Sequence, residues 1–344
     1  MAKSVQSPLS RVLLRPETAS PSVILGIALA PSVIAGLLLF RVAAAEILGI
    51  ALLVGVLVHL AAIVLKQPMQ DSPAVAAVIG VALVGAGTPL LWALVIAVAA
   101  AVLELVRVRV APNARLQMGL LVYVAVLLVA SGVPTAYVNP VSGAPLAEPI
   151  RLWRDFYGGA QTPIDPIRLY VGNVPGPIFA TSLLAVVLGA AWLWYARRLS
   201  ALVVATFAIG AVAPVVYFRW SIPYQLTSGP LWFVAALVLA DRKYLPNSVV
   251  GRPLIGLCAG LLALAARSRG LAIESAMEAV AAVQVAVTLI EGVVRMVTRP
   301  RRAALPAPAS TALRPSRPTR PAGPPLAQAR PPSKRTRSTR LRAS

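Results

Sequence analysis

The sequence is poor in the residues from which metal centres and soluble surfaces are made. One cysteine, Cys258, and one histidine, His59, occur in 344 residues. An internal disulfide is therefore excluded, and so are an iron–sulfur centre and an imidazole metal cluster, which need several such ligands. Charged residues make up only 12%, about half the share usual in soluble domains. No glycine-rich phosphate loop stands between a strand and a helix, so the chain cannot oxidise a dinucleotide alone. Acidic residues are absent from Arg299 onward, where twelve Lys or Arg fall. Residues 1–21 carry Lys3, Arg11 and Arg15 but no small-residue cleavage site behind a short apolar core. They read as a cytoplasmic segment rather than a cleaved signal peptide.

What the chain does have is apolar length. Hydrophobic residues reach 58% and the mean hydropathy is +0.79. Continuous blocks rich in Ala, Leu, Val and Gly predict an all-α polytopic membrane protein, whereas a β-barrel would alternate over short segments. Five blocks occupy 22–40, 42–65, 74–86, 90–106 and 116–133. Five more occupy 177–196, 199–218, 226–240, 253–266 and 273–297. Block six ends in Trp192, Trp194 and Tyr195 followed by Arg197 and Arg198, an aromatic belt and a basic stop.

The chain then divides into an N-terminal segment 1–21, a first half 22–134, an external loop 135–176, a second half 177–298 and a tail 299–344. With the N-terminus inside, 25 of the 32 Lys and Arg fall on inner segments and 7 outside. Both termini are accordingly expected in the cytoplasm of a cell with this chain in its inner membrane. The tail, made of Pro, Ala, Arg and Ser, is expected to be disordered and attracted to anionic lipid. It has no interleaved aromatics, so nucleic acid is not an expected partner.

Blocks three and eight, each third in its half, are short and broken. The first is interrupted by Gly85-Ala86-Gly87-Thr88-Pro89 and the second opens with Thr227-Ser228-Gly229-Pro230. Five spans reverse the chain's direction, so a duplicated second half would be inverted, and matched broken helices in inverted halves point to a site between them. Ionisable residues inside the blocks include Glu46, His59, Glu104, Glu278 and Glu291. Glu104 is expected to snorkel to the interface. Glu278, Gln284 and Glu291 are expected to face a neighbouring helix or a partner subunit.

Several of these stretches resemble one family, the RnfD/NqrB membrane proteins of the Rnf electron-transport complex and of the related sodium-translocating NADH:quinone oxidoreductase. Gln70-Asp71-Ser72-Pro73-Ala74 resembles the opening of that family's third helix. Val141-Ser142-Gly143-Ala144-Pro145-Leu146-Ala147 resembles its flavin-attachment stretch, and Leu169 to Gly176 with Thr181-Ser182 resembles its approach to helix six. Thr227-Ser228-Gly229-Pro230, Ala240-Asp241 and Gly251-Arg252 resemble segments around helices eight and nine.

The resemblance implies a ten-helix membrane subunit that uses FMN or riboflavin, works with other membrane subunits and takes part in electron transport, with or without coupling to ion movement. It implies cofactor-binding residues at Asp71, Ser142, Gly143, Ala144, Thr162, Thr227, Ser228, Gly229 and Asp241. Many family members carry FMN on a loop Thr that has no counterpart here, because Ala144 is followed directly by Pro145. No covalent FMN is thus expected at Ser142. Thr162, before Pro163, is the better-placed hydroxyl, and a flavin is otherwise expected non-covalently between the halves, near Asp71 and the Thr227–Gly229 break. A solute or ion channel or transporter, or a non-catalytic scaffold subunit, remains the alternative on the same two-half scaffold.

Overall fold

A computed structural model describes residues 16, 19–66, 72–157, 164–246 and 248–298. Asp71, Thr162, residues 1–15 and the tail 299–344 lie outside the described residues. The described chain is helical, with isolated backbone bridges and no strand, as expected for an all-α polytopic membrane protein.

Helix α1 (Pro21–Val64) would be about 66 Å long if straight, twice a bilayer's hydrocarbon core. It is two arms. Arg41 has φ 48° and ψ −114°, outside the helical region, and the Ser72 amide donates to Ser22 Oγ at 2.9 Å. Because the eight residues from Val64 to Ser72 reach at most about 28 Å, the second arm must run back beside the first. Blocks one and two are therefore separate spans hinged at one residue.

Helices α2 (Pro73–Ala82), α3 (Leu90–Val110) and α4 (Met118–Val129) complete the first half. The loop carries α5 (Pro149–Tyr157) and α6 (Pro166–Val171). The second half holds α7 (Leu183–Tyr195), α8 (Ala201–Tyr217), the short α9 (Ile222–Leu226), α10 (Gly229–Leu239), α11 (Gly251–Ala265) and α12 (Glu274–Thr298). From Phe233 onward α10 winds as a wider π-helix, a departure frequent at functional sites.

Two observations relate the halves. Among the described residues, non-glycine residues with positive φ are Arg41, Lys66, Arg197 and Arg219, and they end the first two spans of each half. Left-handed backbone costs such residues about 1–2 kcal/mol, and a cation at a helix C-terminus offsets part of that through the dipole. The second observation concerns the broken third spans. Ser72, where α2 begins, and Asp241, where α10 ends, line one crevice. At the other end, Ile178 and Phe179 donate to the carbonyls of Val84 and Ala82 (2.8 and 3.1 Å), and a Cβ on Gly229 would strike the Thr181 carbonyl. Helices α2 and α10 therefore run in opposite directions, as inverted halves require.

Block six becomes helical only at Leu183, capped by Ser182 Oγ, which accepts from the Ala185 amide at 3.2 Å. The apolar stretch 177–181 is a turn instead, closed by the Ala180 amide on the Pro177 carbonyl at 3.2 Å, and Gly85 bridges to Pro177. Non-helical backbone at membrane depth survives only where protein satisfies it. Here Gly85 and Gly87 donate to the Pro134 and Ala136 carbonyls, both at 2.8 Å.

The halves touch along α1 and α7, where Gly189 faces the Ala28 carbonyl so closely that a Cβ would overlap it. Small residues at such crossings let backbones approach. Gly189→Val should lower the melting temperature of the purified protein markedly, because overpacking costs about 1–3 kcal/mol and a backbone carbonyl cannot step aside. Gly26→Val, with nothing within 4 Å, is the control that should melt unchanged.

Candidate functional site

Polar groups gather at the two ends of α10. At one end Asp241, fully buried, accepts from Arg198 Nη2 at 2.7 Å and Nε at 3.2 Å, and from the Lys243 amide at 3.1 Å. The bridge between Leu199 and Asp241, with the Ser200 amide on the Ala240 carbonyl at 2.9 Å, ties this corner to the link between α7 and α8. Glu104 is buried beside it, paired to Arg107 at 2.7 Å with Lys243 Nζ 3.9 Å away. It does not snorkel as its sequence position suggested, because its own helix supplies a cation three residues on and α10's exit supplies another. Arg115 pairs with Glu291 of α12 at 3.1 Å, and the Gln284 side chain accepts from the Gln117 amide at 3.1 Å. Glu291 and Gln284 thus face neighbouring elements. The crevice that Ser72, Glu104, Gln117, Arg198 and Asp241 share holds about 10 Å³, one water's worth.

At the other end the central loop packs onto α9, α12 and the 3₁₀ turn Ala266–Arg269. A small apolar core of Tyr137, Ile150, Trp153, Leu169, Val174, Tyr224 and Ile273 holds it there, with Trp153 edge-on to Trp220 at 5.7 Å. Beneath it lies a buried polar cluster. Glu148 caps α5, its oxygens accepting from the Ile150 and Arg151 amides at 2.7 and 2.8 Å. Arg267 Nη1 donates to Gln225 Oε1 at 2.6 Å, while Arg267 Nε and Nη2 and Gln225 Nε2 have no partner among the described residues. Glu274 accepts from Arg151 Nη2 at 3.4 Å. Burial, and then the charge of Glu274, push the Glu148 carboxyl up to about 7, and burial pulls the Arg267 guanidinium down to about 10.

The sequence-selected residues are distributed as follows. Asp241 lies at the first end, where Ser72, the neighbour of Asp71, also lies. Ser228 and Gly229 lie at the second, lining with Glu148, Gly176 and Thr181 a crevice of about 10 Å³. Thr227 Oγ1 donates to the Pro223 carbonyl at 2.8 Å, a local helix-end contact. Ser142, Gly143 and Ala144 sit on an exposed tight turn. The Asn139 amide meets the Ala144 carbonyl at 2.9 Å, Gly143 has φ +68°, and the Ser142 hydroxyl accepts from the Ala144 amide at 3.4 Å. Asp241 and the Thr227–Gly229 break are thus not brought together.

A flavin fits neither crevice, since a ligand of that size needs about 300 Å³ or more. The turn around Ser142 offers no apolar wall for a ring. Glu148, Arg267, Glu274 and Gln225 were not singled out from the sequence. Their only signal was three ionisable residues flanking apolar segments on the side assigned outside.

Among known proteins, the profile described as the NQR2, RnfD, RnfE family matches residues 15–299, which spans both halves and the loop between them. No curated protein matches the chain.

Proposed function

This chain belongs to the NQR2, RnfD, RnfE family, membrane subunits of ion-translocating electron-transport complexes, and on that premise we propose that it is the ten-helix subunit of a flavin-dependent complex of that kind. The observation that supports the reading best is that α2 and α10, the broken helix of each half, run in opposite directions with polar groups at both ends of α10. Such a seam suits ion movement through the subunit. Electron carriers reside in partner subunits, because the chain holds no cysteine cluster or dinucleotide loop.

FMN or riboflavin is assigned to the assembled complex, and none is assigned to the crevices of this chain. The basic tail meets anionic lipid on the cytoplasmic side of the inner membrane.

The test of the function is affinity purification from native membranes. Co-purification of other membrane subunits with flavin supports it, whereas a lone chain that moves solute in liposomes without an electron donor supports a transporter. The orientation has its own test. A reporter fused after Arg302 should read out as cytoplasmic and one inserted after Ser142 as external. The opposite pattern would invert the topology.

A further inference from the structure

The buried cluster under the external loop is not used by the electron-transport reading, and it keeps two carboxylates out of water. Glu148 and Glu274 are both buried, and one buried guanidinium, Arg267, faces the two of them. That guanidinium spends Nη1 on Gln225 and leaves Nε and Nη2 without a partner among the described residues. Arg151 reaches Glu274 from the rim, with its side chain 44% exposed. The titratable and charged groups around Glu148 are Arg151 and Arg154 on α5, Tyr137 in the loop, Tyr123 on α4, Arg267 on the 3₁₀ turn, and Glu274 and Glu278 on α12.

Glu148 is also where the loop is fastened. It caps α5, and the Pro149 carbonyl next to it accepts from Tyr224 Oη at 2.9 Å. Arg154 Nη1 donates to the Gly270 carbonyl, and Arg151 holds Glu274. Lifting α5 would break these contacts and return Glu148 to water. The same residue thus anchors the loop and sits in the environment that resists its ionisation.

We propose that Glu148 is a proton-binding site that latches the external loop over the seam between the halves: the loop is docked when Glu148 carries a proton and loosens when it ionises. The proton comes from the solvent on the loop side and resides on one carboxylate oxygen, while the other keeps its backbone amide as donor. Docking covers the crevice at Thr181, Ser228 and Gly229. It also closes one wall of a hollow of about 470 Å³ lined by Thr135, Arg151, Glu274 and Glu278.

Linkage fixes the sign. The docked carboxyl is raised from its ordinary 4.5 to about 7, so the proton favours docking. The stabilisation is full below 4.5, falls as pH rises through that window, and is gone above about 7. Between pH 5 and 8 these two values correspond to roughly a 70-fold loss in the docking equilibrium.

Hydrogen exchange of residues 150–157, in the full chain in lipid nanodiscs and corrected for intrinsic rates, reads that equilibrium. The opening constant should rise by roughly 70-fold from pH 5 to pH 8, and Glu148→Gln should hold the protected level throughout. A pH-independent wild type, or a pH dependence that survives Glu148→Gln, overturns the proposal. Should Glu148→Gln fail to fold, Glu274→Gln decides. Removing that negative charge should move the midpoint to lower pH, and an unmoved or raised midpoint contradicts the latch.

Discussion

Asp241→Ala is expected to destabilise the protein by about 3–5 kcal/mol, because it leaves Arg198 without the carboxylate that compensates it. Asp241 is fully buried and receives three donors, two from one guanidinium and one from the Lys243 amide. It is also the residue at which α10 stops and bridges back to Leu199. The loss should therefore spread to the link between α7 and α8 and to the Glu104–Lys243 contact. Folded yield on size-exclusion chromatography and thermal unfolding in detergent check it. Arg198→Met with Asp241→Leu should recover much of the loss, since removing both partners leaves no buried charge. Equal melting of Asp241→Ala and wild type would mean that this corner does not hold the seam.

The second large effect is all-or-none. Protein produced with a flavin transferase should show no fluorescent band on a denaturing gel that depends on Ser142. A phosphoester needs a hydroxyl presented outward at the position where the family has its Thr, and that position is missing between Ala144 and Pro145. The Ser142 hydroxyl turns back to its own turn, which the Val138–Pro145 bridge and the Asn139 side chain, accepting from the Val141 amide at 2.9 Å, close tightly. A band lost in Ser142→Ala would sink the prediction. A band lost in Thr162→Ala instead would place attachment later in the same loop.

Much of the architecture could be read directly from the sequence, because hydropathy over twenty residues reports a bilayer crossing whatever the neighbours are. The breaks at Gly85–Pro89 and Thr227–Pro230 were visible for the same reason, since Gly and Pro mark where a helix cannot continue. Hydropathy failed at 177–181. Those residues are as apolar as a helix, yet they form a turn whose amides bond the carbonyls of Ala82 and Val84, and an apolar run does not reveal its backbone. It failed also at Glu104, where Arg107 of the same helix and, from a distant part of the chain, Lys243 make burial tolerable.

The loop-side cluster was the least legible. Glu148, Gln225, Arg267 and Glu274 lie on four separate elements and share no spacing, so only the fold assembles them. The positive φ at Arg41, Lys66, Arg197 and Arg219 was equally hidden, since a basic residue after a span reads as an ordinary stop signal.

Electron transfer in native membranes tests the central claim most directly. Membranes from cells lacking this chain, compared with membranes in which it is restored, should lose flavin-dependent oxidation of a soluble reductant such as NADH or dithionite-reduced ferredoxin, together with the ion gradient that oxidation drives. Undiminished oxidation and an undiminished gradient without the chain would contradict its role as a subunit of an ion-translocating electron-transport complex.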